Sequence, residues 1–196
     1  MEIVLASASP RRAELLRQIG VSFQVRPSNI REGKPYRPLI KWVQDLAKEK
    51  ALAVPGRPGE IILGADTIVV HKQEVLGKPK DEAEAKAMLQ CLSGNSHEVL
   101  TGICLVCYDE GADSGPRIYQ DVEITQVTFR RLSPVEIEHY VASGEPLDKA
   151  GAYGIQGLGA LLVESVYGCY YNVVGLPLVK TARLLRKCGV PVMGET

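Results

Sequence analysis

Apolar segments with strand patterning alternate with capped, amphipathic helices along nearly the whole chain. Ile3–Ala6 reads as a first strand, and apolar residues at helical spacing predict a helix over about 38–53. Asp81 and Ser133 each open a capping box with a glutamate three residues later, and a last helix is expected over 177–188. Strands, helices and hairpins in this order predict an α/β fold whose sheet has mixed strand direction.

The remaining strand signals lie in the middle of the chain. Residues 61–63 and 67–70 are strand-like, and a polar turn at 72–73 predicts a hairpin into Val75-Leu76. Two longer strands are expected over 98–108 and 118–130, the second with a bulge. No internal repeat or low-complexity segment interrupts the series.

The chain of 196 residues is expected to form one domain over 1–196. Lys+Arg and Asp+Glu both number 23, so the formal net charge is zero. Because nucleic acids and anionic membranes both select basic surfaces, we expect neither as a partner. No segment reads as a signal peptide or a membrane span, so a cytoplasmic protein is expected.

The five cysteines are scattered along the chain. Cys104 and Cys107 form a C-x-x-C, but a strand would send residues three apart to opposite faces. No second pair exists to complete a zinc site, so buried free thiols are expected.

An anion site is outlined where the first strand meets the first helix. Ser9 is a good N-cap and Pro10 suits the first helical position, so free N–H groups and the positive end of the helix dipole lie there. Ser7, Arg11 and Arg12 surround this helix start, and arginine offers fixed bidentate donors for phosphate or carboxylate. The alternative is an ordinary capped helix with solvated arginines.

A carboxylate stands at an expected break in an apolar strand, in Gly64-Ala65-Asp66-Thr67. An aspartate between hydrophobic strands is costly unless it holds a cation or accepts hydrogen bonds; an Asx-turn is the alternative. Lys50, on the charged face of the 38–53 helix, and Lys78 both read as surface lysines. Lys78 is the more suggestive of a function, because Gly77 and Pro79 fix the backbone around it. Glu32 lies in a polar loop long enough to act as a flap; a solvated loop glutamate is the alternative.

The glycine-rich stretch 145–159 lacks the order and the strand–helix context of a dinucleotide-binding turn. Its glycines would let backbone approach a flat ligand, and Gln156 offers a donor and an acceptor together, as the edge of a nucleobase requires. Asp148 and Lys149 add polar groups. A structural glycine turn with hydrogen-bonded polar residues is the open alternative.

Taken together and in order, these blocks resemble the Maf proteins. The resemblance covers nearly the whole chain, and several motifs in collinear order are far more specific than any one of them. The matching segments are Leu5–Leu16, Ala47–Ala51, Gly64–Val69, Gly77–Pro79, Leu92–Gly94, His97–Gly102, Glu145–Gly157 and Asn172–Leu178.

The resemblance implies a nucleoside triphosphate pyrophosphatase that releases a nucleoside monophosphate and pyrophosphate. It implies an inosine triphosphate pyrophosphatase-like fold, with a mixed elongated sheet, flanking helices and two lobes around a cleft. It makes Asp66 the proton acceptor, and it makes Glu32 with Asp66 the ligands of Mg²⁺ or Mn²⁺, although Arg31 departs from the acidic pattern expected beside Glu32. The implied phosphate-binding residues are Ser7, Arg11, Arg12, Lys50 and Lys78.

Within the family, the arginine block with Thr67 and Gln156 is similar to the branch that acts on dTTP and UTP. The resemblance therefore implies a pyrimidine triphosphate as substrate, and a homodimer is expected from relatives. An alternative is a nucleotide-binding regulator of cell division and septum formation that acts through a partner without turnover. A nucleic-acid-binding module is disfavoured by the zero net charge and by the few aromatic residues.

Overall fold

A computed structural model describes residues 1–30, 33–111 and 115–194 of the chain. Three short 3₁₀ segments, Glu145–Asp148, Ala150–Ala152 and Gly157–Leu162, accompany the regular elements. The strands are β1 (Glu2–Leu5), β2 (Gln24–Val25), β3 (Glu60–His71), β4 (Glu74–Leu76), β5 (Ser96–Cys107), β6 (Arg117–Phe129) and β7 (Val163–Tyr167). The helices are α1 (Pro10–Gln18), α2 (Leu39–Leu52), α3 (Glu82–Leu92), α4 (Pro134–Ala142), α5 (Tyr170–Val174) and α6 (Leu178–Lys187).

The strands form a sheet in the order β2-β1-β3-β5-β6-β7, with β4 paired to β3. Strand β1 runs parallel to both β2 and β3, whereas β4 is antiparallel to β3 and β7 is antiparallel to β6. The predicted α/β fold with a sheet of mixed direction is therefore confirmed. Within the described residues, each helix is too short or too polar to cross a membrane.

The chain divides into two compact units, and β3, β5 and β6 contribute residues to both. Unit 1 comprises Met1–Asp66, Thr101–Glu123 and Gly175–Thr196, as far as these ranges are described. Unit 2 comprises Thr67–Leu100 and Ile124–Val174. That the whole chain acts as one domain stays a prediction.

In unit 1, helix α2 packs directly on two strands at positions where both strands carry glycine. A β-carbon at Gly64 of β3 would lie 2.2 Å from the carbonyl oxygen of Ala47, and one at Gly102 of β5 would lie 2.3 Å from that of Val43. Only residues without a side chain allow this approach of helix to sheet. The helix is thereby held at a fixed height above β3.

Unit 2 has its own apolar core, built around an aromatic cluster. The rings of Phe129 and Tyr153 meet edge to face at 4.7 Å, and His97 packs against both at 5.1 and 5.3 Å. Burial lowers the pKa of His97 to about 4, with a smaller contribution from the charge of His71. His97 is therefore neutral near pH 7 and shares a 2.7 Å hydrogen bond with the Tyr153 hydroxyl.

The local signals in the sequence are confirmed in most cases. Asp81 accepts a hydrogen bond from the Glu84 amide, and Ser133 and Glu136 form the full reciprocal capping box. The hairpin between β3 and β4 turns at Lys72-Gln73, both with positive φ. A register shift at Thr128/Phe129 supplies the irregularity expected in β6.

Two expectations, about the course of β3 and about the cysteines, were wrong. The strand break at Gly64-Ala65-Asp66 does not exist, because β3 runs unbroken from Glu60 to His71; Gly64 serves helix packing rather than a turn. Cys107 is not a free thiol, because it forms a disulfide with Cys188, 81 residues away. Cys104 is buried and free, as expected, and burial raises the pKa of its thiol to about 12.

Candidate active site

The start of α1 is tied to β3 by the side chain of Arg12. Its guanidinium donates from Nη1 to the hydroxyl oxygen of Ser7 at 3.1 Å and to the carbonyl oxygen of Ala65 at 2.9 Å. Its Nε donates to the carbonyl oxygen of Gly175 at 2.9 Å. Arg12 thus joins three separate segments of unit 1 around the residue that precedes Asp66.

These three hydrogen bonds of Arg12, here called the Arg12 clamp, are needed because β1 is shorter than β3. The parallel pairing of β1 with β3 ends at Leu5 and Leu63. The last backbone hydrogen bond between these two strands runs from the Ala6 amide to the Leu63 carbonyl oxygen at 2.8 Å. Ala65, two residues further along β3, therefore faces no β1 partner. A buried carbonyl oxygen needs a donor, and Arg12 supplies one.

The Ser7 hydroxyl also organises the turn into α1. It accepts a hydrogen bond from the Ser9 amide at 3.2 Å, and the Ser7 residue is buried. Ser9 occupies the N-cap position with extended backbone, and Pro10 is the first helical residue, but the Ser9 side chain makes no cap hydrogen bond. The predicted side-chain cap is therefore wrong, while the predicted helix start is right.

Asp66 is the buried acid of the site and is paired with a lysine. The Lys50 ammonium forms an ion pair with Oδ1 of Asp66, and the two side chains are only 14% and 8% exposed. Gly64 and Asp66 are two residues apart on β3 and so face the same side of the sheet, towards α2. The close approach at Gly64 therefore brings Lys50 of α2 to the carboxylate of Asp66.

A buried ion pair of this kind costs desolvation energy that two well-packed apolar residues would not. Titratable groups held in such surroundings are frequent at functional sites. The reading of Lys50 as a surface lysine is thus wrong. The alternative reading of Asp66 as an Asx-turn is also wrong, because the residue lies inside a strand.

A single buried carboxylate is a donor that suits a hard divalent cation. Mg²⁺ commonly takes one or two carboxylates from the protein and completes its shell with water and substrate phosphates. The described residues hold no cluster of three or more His, Cys, Asp or Glu side chains able to bind a metal by themselves. Asp66 therefore fits a cation shared with a phosphorylated ligand, rather than one held by the protein alone.

The other predicted residues are distributed over both units. Arg11 lies half-buried on α1 beside Arg12, whereas Thr67, Lys78 and Gln156 belong to unit 2. Lys78 and Gln156 are exposed, and Thr67 is half-buried directly after Asp66. Glu32 lies outside the described residues.

Sequence reasoning missed the residues that hold the others in place. The motifs do not single out Gly64 and Gly102, on which α2 packs. They also do not indicate that Glu145 accepts hydrogen bonds from the backbone of the glycine-rich stretch. The signal for the two glycines was present, since each interrupts an otherwise apolar strand, and such glycines mark a close approach of backbone.

These features together define a class of protein. A helix start with arginines, a buried lysine–aspartate pair and a single cation-compatible carboxylate together are typical of an α/β protein that binds and processes phosphorylated compounds. The model of the family described as "Maf-like protein" matches residues 2–188. The chain belongs to this family, as its sequence motifs indicated.

Curated relatives match over nearly their full length. A protein of Moorella thermoacetica named dTTP/UTP pyrophosphatase is 53% identical over 197 residues, covering 99% of this chain and 98% of its own. Another of that name from Anaeromyxobacter sp. is 52% identical over 192 residues, covering 97% and 91%. A solved HAM1 protein from Coxiella burnetii aligns with a TM-score of 0.42 and 21% identity, covering 67% of this chain and 74% of its own.

Proposed function

We propose that this protein hydrolyses dTTP and UTP between the α- and β-phosphates, releasing the nucleoside monophosphate and pyrophosphate. The observation that carries the proposal is the buried Lys50–Asp66 pair beside the Arg12-clamped start of α1. Full-length relatives at about half identity bear the name of this activity, which supports it. They do not favour the alternative of a division regulator without turnover.

Asp66 is the proton acceptor in this proposal. Lys50 engages Oδ1, and we assign the Asp66 carboxylate to accept the proton of the attacking water. As the water oxygen bonds to the α-phosphorus, its proton passes to Asp66 and the bond from that phosphorus to the bridging oxygen breaks. The leaving group is pyrophosphate, and the water oxygen stays in the monophosphate.

The cationic side chains bind the phosphates and stabilise the charge that grows on the leaving group. Arg11, beside the clamp on α1, and Lys78 are assigned to this task together with Lys50. Arg12 and Ser7 shape the helix start, because their side-chain groups already bond within the protein, and add to phosphate binding there. A Mg²⁺ or Mn²⁺ ion held by Asp66 and Glu32 would lower the pKa of bound water and polarise the α-phosphate.

Recognition of the base is assigned to Gln156 and Thr67, with Arg11 and Arg12 at the phosphate end. A pyrimidine imide presents an N–H between two carbonyls, and an amide side chain can pair with that edge. Gln156 is exposed, and its side chain makes no cap hydrogen bond to the 3₁₀ segment Gly157–Leu162 that follows it. The cytoplasmic location and the homodimer stay predictions.

The test is a panel of nucleoside triphosphates with Mg²⁺ or Mn²⁺, in which pyrophosphate and orthophosphate are measured separately. We expect pyrophosphate from dTTP and UTP, and ¹⁸O from labelled water in the monophosphate. Asp66→Asn is expected to lose this activity by about 10³-fold or more while remaining folded. Asp109→Asn, which removes an exposed ion pair with Arg117, is the matched control and should keep wild-type turnover. Orthophosphate as the first product would contradict the proposal.

A further inference from the structure

The glycine-rich stretch of unit 2 is wrapped around one carboxylate. Glu145 follows α4 and accepts hydrogen bonds from the backbone amides of Leu158 at 3.1 Å and Gly159 at 3.2 Å. The Tyr140 hydroxyl donates to Glu145 Oε1 at 3.0 Å and accepts from the Gly154 amide at 3.1 Å. Glu145 and Tyr140 therefore hold the backbone both before and after Gln156.

The glycines of this stretch are required by that arrangement. A β-carbon at Gly157, which has a φ of +63°, would lie 2.8 Å from Glu145 Oε2. One at Gly159 would lie 2.6 Å from the Tyr140 hydroxyl oxygen and 2.1 Å from the Gly154 carbonyl oxygen. The glycines thus make room for the carboxylate and the phenol, which favours the structural reading of these residues that the sequence left open.

The segment before Gln156 is anchored in the core. Tyr153 is buried in the aromatic cluster with His97 and Phe129, and Ile155 is buried as well. Burial and the neighbouring carboxylate raise the pKa of Tyr140, so its hydroxyl stays protonated as the donor to Glu145. Gln156 follows Ile155 at an exposed position, between backbone amides that Tyr140 and Glu145 hold in place.

We propose that Glu145 is a positioning residue that sets the place of Gln156 and thereby the preference of the enzyme for a pyrimidine base. The inference deepens the proposed function and depends on it for the identity of the base. A carboxylate is needed because each of the groups that converge on it is a donor. Hydrogen bonds to a charged acceptor are stronger than those to a neutral one and leave less freedom of orientation.

The charge of Glu145 is tested by Glu145→Gln, which keeps the shape but turns one acceptor oxygen into a donor that faces a backbone N–H. We expect faster hydrogen exchange at the amides of Leu158 and Gly159. For the enzyme we expect a higher KM for dTTP with a smaller change in kcat, and a loss of about tenfold in the preference for dTTP over GTP. Glu138→Gln, at an exposed position of α4, is the matched control and should change neither reading.

A second variant keeps the test decisive if Glu145→Gln folds poorly. Tyr140→Phe removes one donor to Glu145 and the acceptor of the Gly154 amide, so the same two changes are expected on a smaller scale. Unchanged exchange at both amides, or unchanged base preference in folded variants, would overturn the role of Glu145. If wild-type protein released no pyrophosphate from any triphosphate, the proposed function would fail, while the exchange experiment would still report on the loop.

Discussion

The substitution Gly64→Ala adds one methyl group and should push helix α2, which carries Lys50, away from β3. The new β-carbon would lie 2.2 Å from the Ala47 carbonyl oxygen and 2.7 Å from the Ala51 amide nitrogen, both backbone atoms of α2. Because the preferred separation of such atoms is about 3.5 Å, the helix must move away by about 1 Å. Lys50, between those contacts, moves with it.

The expected effects are moderate for stability and large for catalysis. Overpacking of a core lowers the free energy of unfolding by about 1–3 kcal/mol. Replacing a glycine inside a strand by alanine raises it by about 0.5–1 kcal/mol. We therefore expect the free energy of unfolding to fall by about 1–2 kcal/mol. A 1 Å displacement of a positioned group can cost about 10²-fold, and we expect kcat/KM for dTTP to fall by that factor.

Urea unfolding and steady-state pyrophosphate release measure the two effects. Gly77→Ala is the control for stability, since a β-carbon at Gly77 meets no atom within 4 Å. Glu49→Ala, at an exposed position of α2, is the control for activity. A Gly64→Ala protein with wild-type stability and turnover would refute the claim that this glycine sets the height of α2 over Asp66.

Two further predictions concern stability. Burial lowers the pKa of His97 from 6.5 to about 4 in the folded protein. As the pH falls, His97 is therefore protonated in the unfolded chain before it is protonated in the folded one. The free energy of unfolding should accordingly decline between pH 6.5 and pH 4, by up to about 3 kcal/mol. His97→Gln should flatten the decline above pH 5 in urea titrations, and an unchanged slope would contradict this. The Cys107–Cys188 disulfide closes a chain separation of 81 residues, so its reduction should lower the free energy of unfolding by about 2–4 kcal/mol. A reductant should have no such effect on the double alanine variant, and an unchanged urea midpoint of the wild-type protein would count against a stabilising bridge.

The elements that could be predicted are those whose cause is local. Capping at Asp81 and Ser133 and the Lys72-Gln73 hairpin each depend on a few neighbouring residues, so the chain itself carries the signal. The same locality explains the error at Gly64. A glycine close to an aspartate has the local signature of a turn, whereas Gly64 is required here by the packing of α2 on β3, which short-range sequence does not show.

The contacts among the candidate site residues could not be predicted from the sequence. Family resemblance makes Asp66, Lys50 and Arg12 candidate site residues. Nothing in their spacing predicts that Lys50 pairs with Asp66 or that Arg12 bonds to Ala65 and Gly175. These contacts join residues 16, 53 and 163 positions apart. They form only when the sheet and helices have packed.

The sequence by itself determined the class of fold, the start of each capped helix and the family to which the chain belongs, because short-range propensities and collinear motifs carry that information. Only the tertiary structure decided which charges are buried together and which backbone groups lack a strand partner. It also decided that Glu145 lies inside the glycine-rich loop. The physical reason is that close packing selects contacts by shape and by the need to satisfy buried polar groups, and both depend on residues far apart in the chain.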